Sequence, residues 1–299
     1  MTRHILLLFI GVFACSTAAI FIRNSQVHPI MLSAMRLLIA TIGLLPVFLR
    51  DWKHHRGQGM SRRELGASIL PGIILGIHFV TWNMGIRMTR VANGSLIVNL
   101  VPLAMPVVLF LLIGEKLTRR ETHATWIAVA ATALLVYFDY QLDPEYFLGD
   151  LICFGSMLFF CLYLAISRRH RTSRSIWLYV VPLYGLAGTF CLVTAIVWGT
   201  ITRNPEVLPQ WYPAREWIWL LSLGLIPTIT GHSILNYCMK KLRGQVVSII
   251  NLTQFAFAGI LAWFVFREVP HWSLYATASI LACSAWLVIT SPHSDPEIG

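Results

Sequence analysis

Ten stretches of this 299-residue chain are apolar for 16 to 24 residues at a time, with short polar connections between them. A bilayer-crossing helix needs about 20 predominantly apolar residues. Inside a bilayer every backbone N–H and C=O must be paired within the protein, which restricts spanning segments to helices or closed barrels. Runs of this length read as helices. They cover residues 5–22, 29–49, 65–86, 95–113, 123–138, 149–166, 176–199, 217–238, 245–266 and 271–290. Charged residues make up only 12% of the chain, about half the share usual in soluble domains. That is too few to clothe a water-facing surface. Little sequence remains for a separate soluble domain, and residues 291–299 form a short tail.

The first run follows Arg3 and contains Ala14-Cys15 and Ala18-Ala19, features shared with cleavable leaders. It continues to Ile22, long enough to span, so it is expected to stay. All six cysteines fall inside apolar runs and form no Cys-x-x-Cys pair. They read as small packing residues, neither disulfides nor metal ligands.

Net charge is +10, yet the basic residues lie in clusters between apolar runs, which excludes a nucleic-acid surface. With the N-terminus inside, the cytoplasmic segments collect 16 Lys and Arg, among them the cluster from Arg50 to Arg63, and the outer loops hold 6. The positive-inside bias therefore predicts N- and C-termini in the cytoplasm and an even number of spans. The basic cluster from Arg50 to Arg63 suits an anionic lipid surface.

The halves echo each other. Asn83, Arg90, Ser95 and Glu115 recur 153 residues later as Asn236, Arg243, Ser248 and Glu268. Five spans per half is an odd number, so the second copy must enter the membrane upside down. The expected fold is all-α and integral to the membrane: ten transmembrane helices as two inverted five-helix repeats, 1–140 and 141–290. Such repeats accompany alternating-access transport, with the site near the midplane where the halves meet.

The segment from Gly85 to Pro102, GIRMTRVANGSLIVNLVP, continues to Gly114-Glu115-Lys116-Leu117-Thr118. With Pro29 to Arg36, PIMLSAMR, it resembles the EamA family of the drug/metabolite transporter superfamily. Leu242-Arg243-Gly244 and the helix ending at Glu268 extend the likeness into the second half. The resemblance implies ten helices, inverted repeats and export of small metabolites, such as amino acids, across the cell (inner) membrane. The expected partners are a small-molecule substrate and the bilayer, with the protein a monomer or homodimer, without cofactor or metal.

Polar groups at membrane depth face the bundle interior or a wet cavity. On the fourth run Ser95, Asn99, Pro102 and Pro106 share a helical face, and the prolines free carbonyls for bending. Ser248, Asn251 and Gln254 form the matching stripe on the ninth. His78, Trp82 and Asn83 on the third run correspond to His232 and Asn236 on the eighth. These amides, hydroxyls and imidazoles are the candidate cavity residues, although the same groups also join helices by hydrogen bonds. Arg36, within the second run, either snorkels outward, bonds a carbonyl or holds a substrate carboxylate. Glu115 and Glu268 read as helix caps or gating contacts.

Absences narrow the function. No run carries Asp or Glu near its middle, which disfavours proton-coupled export of cationic drugs. A multidrug or nucleotide-sugar-type transporter is the alternative reading. There is no nucleotide loop, zinc pair or nucleophile motif, and the acidic residues are scattered. That weighs against an enzyme, including one that modifies lipids.

Overall fold

The computed structural model describes residues 2–54, 66, 68–113, 119–142, 144–169, 175–242, 247 and 250–289. Ser248, Glu115, the tail 291–299 and most of the Arg50 to Arg63 cluster lie outside them. Among the described residues the regular structure is all helical. The main helices are α1 (Thr2–Asn24), α2 (Pro29–His54), α3 (Ile69–Gly85), α4 (Val91–Val98), α5 (Val101–Ile113), α6 (Arg119–Leu142), α7 (Phe147–Arg169) and α8 (Trp177–Thr202). They continue with α9 (Ala214–Leu223), a π-helical turn (Gly224–His232), α10 (Ser233–Lys241), α11 (Gln254–Phe266) and α12 (Trp272–Ile289). Among the described residues, six stretches are long and apolar enough to cross a bilayer: Arg3–Asn24, Pro29–His54, Val91–Leu112, Pro144–Ile166, Trp177–Thr202 and Ala214–Met239. Ile69–Gly85, Thr122–Leu135 and Ile250–Phe266 are apolar and shorter.

Many large apolar side chains lie on the outer surface. On α1, Leu6, Ile10 and Phe13 are exposed at helical spacing, while Leu8, Val12 and Cys15 are buried on the opposite face. Ile42, Leu111, Trp126, Ile201 and Trp286 are likewise exposed. Contiguous apolar surface on this scale marks contact with something other than water; here it suits lipid. The chain is a multi-pass membrane protein.

Three runs read as single helices depart from that expectation. The fourth begins earlier, at Val91, because Glu268 Oε2 accepts the Val91 N–H at 3.0 Å. It then breaks between α4 and α5. Pro102 has no N–H to give Val98, and its ring crowds that carbonyl. Around the break the bonds tighten to i→i−3, as in Asn99 N to Leu96 O at 3.1 Å and Leu100 N to Ile97 O at 3.2 Å. The eighth run widens into the π turn at Pro227. The Thr228 hydroxyl donates to Leu223 O at 2.8 Å, supplying the hydrogen bond that Pro227 cannot. The ninth run has a comparable discontinuity at Thr253, before α11.

Packing partners come in exchanged pairs. Helix α3 lies on α7 and α8, while the π turn and α10 lie on α1, and the π turn also on α2. Helix α4 packs on α7, and α11 packs on α1. The crossings are made close in the same way. A Cβ at Gly85 would stand 2.7 Å from Cys153 Sγ and 3.1 Å from Gly149 O. One at Gly231 would stand 2.5 Å from Cys15 Sγ and 3.2 Å from Gly11 O. A Gly-x-x-x-Cys pair receives a glycine in each case, the small-residue contact that lets membrane helices approach closely.

Gly85→Val or Gly231→Val should lower stability by about 1–3 kcal/mol through overpacking against backbone. Gly155→Ala, whose added Cβ would meet nothing within 4 Å, should leave it unchanged. Thermal unfolding of purified protein in detergent measures both.

Candidate functional site

Some of the interior polar groups line a small cavity, and others tie helices together. The space lies among α1, α2, α3, α4, α7, the π turn, α10 and α11. It is lined by Arg36, His78, Trp82, Asn99, His232 and Gln254 together with Cys15, Ala18, Val98, Phe160 and Leu235. Its free volume is about 30 Å³, room for about two waters. A metabolite would need the surrounding helices to part.

An aromatic and imidazole stack forms one wall. Phe160 lies parallel to His78, with centroids 4.6 Å apart, and edge-on to His232 at 5.8 Å. Phe79 sits edge-on to His232 at 5.1 Å. The Arg36 guanidinium covers the Phe79 ring at 4.3 Å. His78 is held across helices by Ser156. Its Nδ1 lies 2.9 Å from Ser156 Oγ and 3.0 Å from Ser156 O, and Ser156 Oγ donates to His78 O at 3.0 Å. Because the single hydroxyl hydrogen goes to His78 O, this network assigns the Nδ1 hydrogen to the neutral ring and leaves Nε2 as the acceptor.

Arg36 reaches neither membrane face. Its side chain has 0% exposure, a position that costs roughly 2.5–3.5 kcal/mol at mid-membrane on insertion scales. Nε donates to Thr228 Oγ1 at 3.1 Å. Nη1 and Nη2 have no hydrogen-bond partner among the described residues. The lining residues include no Asp or Glu.

The broken helices meet at a pair of amides. Asn251 Nδ2 donates to Asn99 Oδ1 at 2.7 Å, and Asn99 Nδ2 donates to Ser95 O at 2.7 Å. The second bond satisfies a carbonyl near the break. Asn99 therefore both joins the two discontinuities and borders the cavity. Asn251 and Ser95 are buried but do not line it. Asn83 and Asn236 also lie outside the lining. Asn83 donates to Ser33 Oγ at 2.8 Å, and Asn236 accepts from Tyr163 Oη at 2.9 Å. Pro102 and Pro106 are buried in α5 and shape the break without facing the space.

Glu268 belongs to a polar cluster at one end of the bundle, where α1 ends and α4 begins. It pairs with Arg23, whose guanidinium also lies 5.0 Å from the Phe266 ring centroid. Nearby, Glu216 accepts from Ser25 Oγ at 2.8 Å and Gln26 N at 3.1 Å. Arg87 gives its Nη2 to Ser25 O and Val27 O, both at 2.9 Å. Burial lowers the Arg87 pKa, and the Glu216 carboxylate opposes that shift. Glu268 thus caps the helix that opens with Val91, in the other half of the chain, and this end of the bundle is closed by charge-assisted bonds.

Phe160 is the lining residue that sequence reasoning missed most completely. It stands among Phe154 and Phe159 in an apolar run, and nothing local marks which ring faces inward. Cys15, Ala18, Val98 and Leu235 were equally silent.

The EamA-like transporter family matches residues 2–137 and again residues 147–290. An uncharacterized transporter of Archaeoglobus fulgidus is 22% identical over 252 residues, covering 84% of this chain and 83% of its own. The pseudopaline exporter CntI of Pseudomonas aeruginosa strain PAO1 is 22% identical over 236 residues, covering 77% of this chain and 76% of its own. A crystal structure 17% identical in sequence superposes with a TM-score of 0.64 over 96% of each chain, so the fold is shared.

In a double-mutant cycle, Asn99→Ala and Asn251→Ala should couple by about 0.6 kcal/mol and by no more than about 1.7 kcal/mol, the range of interhelical hydrogen bonds in membranes. Stabilities from unfolding in detergent provide the measurement, and additive losses would show that the amide pair contributes nothing.

Proposed function

The chain belongs to the EamA-like transporter family, and on that premise we propose an exporter of amino acids or related small metabolites working by alternating access. It is a membrane transporter of small molecules by family. The finer reading is ours: ten spans, two inverted halves (1–140 and 141–290), both termini cytoplasmic, and the cell membrane as location. The observation that carries it is the small interior cavity, lined from the first half by Arg36, His78, Trp82 and Asn99 and from the second by His232 and Gln254.

Three features support the alternating mechanism. Packing partners exchange between the halves. Three of the helical segments bordering the cavity are interrupted, at Pro102, Pro227 and Thr253, and interrupted helices near the membrane midplane are where secondary transporters bind substrate. The Arg23–Glu268 cluster closes one end of the bundle, which the positive-inside orientation places outside. In this reading that cluster releases as the outer side opens, and the close glycine crossings let packed helices move as units.

Counterflow in proteoliposomes over a panel of amino acids and related metabolites tests the proposal. Saturable exchange of at least one compound is expected; its absence from folded protein would sink the idea. Asn99→Ala should raise the apparent KM several-fold and also lower stability. Asn251→Ala, set back from the cavity, should lower stability with little change in KM.

A further inference from the structure

Arg36 is a fully buried cation whose orientation is set at two points while its terminal nitrogens stay uncommitted. Nε rests on Thr228 Oγ1 at 3.1 Å, and the guanidinium plane lies over Phe79 at 4.3 Å. The Thr228 hydroxyl hydrogen is already given to Leu223 O. Thr228 therefore offers Arg36 only a lone pair, which orients the guanidinium without neutralising it. Nη1 and Nη2 are buried without a partner among the described residues, in a group that lines the cavity.

We propose that Arg36 anchors a carboxylate of the transported substrate, so that the cavity selects compounds with a free carboxylate over amines and neutral amides of the same shape. The proposal deepens the transporter reading and rests on it for the identity of the site. Two parallel N–H donors on a planar guanidinium match the two oxygens of a carboxylate, which lysine's point charge does not. The lining residues supply no competing acid. Thr228 and Phe79 hold the fork in place before the ligand arrives, which reduces the ordering cost of binding.

The surroundings specify the rest of the ligand. His78 commits Nδ1 to Ser156 and keeps Nε2 as an acceptor for an N–H or O–H on the same molecule. Phe160 and Trp82 provide apolar walls for a side chain. The substrate class is a small carboxylic acid with a neighbouring hydrogen-bond donor, such as a 2-amino or 2-hydroxy acid. A cation would meet Arg36 with no lining carboxylate to offset the repulsion.

The test is binding to purified full-length protein in detergent, by calorimetry and thermal shift. The probes are the common amino acids, the matching 2-hydroxy acids, their carboxamides, their decarboxylated amines, and sodium phosphate and sulfate. Carboxylates should bind, and the best should lose roughly thirtyfold or more in affinity when converted to the amide. Arg36→Gln should erase that preference and Arg36→Lys should keep part of it, with folding checked by size exclusion and melting temperature. Should Arg36→Gln fail to fold, the wild-type acid and amide pairs together with Arg36→Lys decide. Amides binding as tightly as acids, a preference that survives Arg36→Gln, or no carboxylate binding across the panel each overturns the proposal. Phosphate or sulfate competing as strongly as the carboxylates overturns the assignment to a carboxylate. Carboxylate-selective binding without counterflow of any compound would leave the anchor standing and remove the transporter reading. Counterflow of amides and amines at the rate of the acids would do the reverse.

Discussion

The bilayer offers no water to complete an unfinished hydrogen bond, and the interior of this protein is organised around that constraint. Continuous helices satisfy their own backbone, so they cost nothing extra in lipid. Each interruption must be repaired locally. Thr228 repairs the one at Pro227 by bonding Leu223 O, and Asn99 helps repair the one before Pro102 by bonding Ser95 O. The repairing side chains are polar and inward-facing, and they stand beside the cavity. Two of the interruptions therefore bring polar side chains to the edge of the cavity.

Close packing converts those local repairs into one arrangement. The α3–α7 and π turn–α1 crossings are tight because Gly85 and Gly231 bring backbone against Gly149–Cys153 and Gly11–Cys15. Membrane helices gain little from burying apolar surface, since lipid is equally apolar, so close contact and hydrogen bonds provide most of the association. The Asn99–Asn251 and His78–Ser156 bonds lie between helices. They hold the wall in which His78, Phe160 and His232 stack, and Arg36 is set on that wall through Phe79. Arg36 is one of the places among the described residues where satisfaction stops short, and a buried unpaired donor on a cation is costly unless something else completes it.

Much of this was legible beforehand, for a physical reason. The length and apolarity of the runs demand helices in lipid, and the segment from Gly85 to Pro102 carries the family. His78, Trp82, Asn99, His232 and Gln254 were singled out because polar or aromatic-polar groups at membrane depth must face inward, and all five line the cavity. The same rule also selected Asn83, Asn236 and Asn251, which spend their polarity on neighbouring helices, and Ser95, whose buried hydroxyl neither lines the cavity nor has a partner among the described residues. Polarity locates the interior, but it does not distinguish an amide that greets a ligand from one that bonds a helix.

That distinction is tertiary. Whether Asn83 meets Ser33 or open space depends on how closely α2 and α3 approach, and the chain carries no local record of it. Phe160 reads like its neighbours until α7 is rotated against α3, and only then does it become the ring between two histidines. Arg36 looked as free to snorkel as to turn inward. Its inward position was decided by Thr228, some 192 residues away, and by Phe79. The sequence alone determined a helical membrane protein of the EamA family with its polar groups inward, because lipid solvation acts on each segment separately. The tertiary structure alone decided which of those groups share a cavity, because that depends on contacts between segments far apart in the chain.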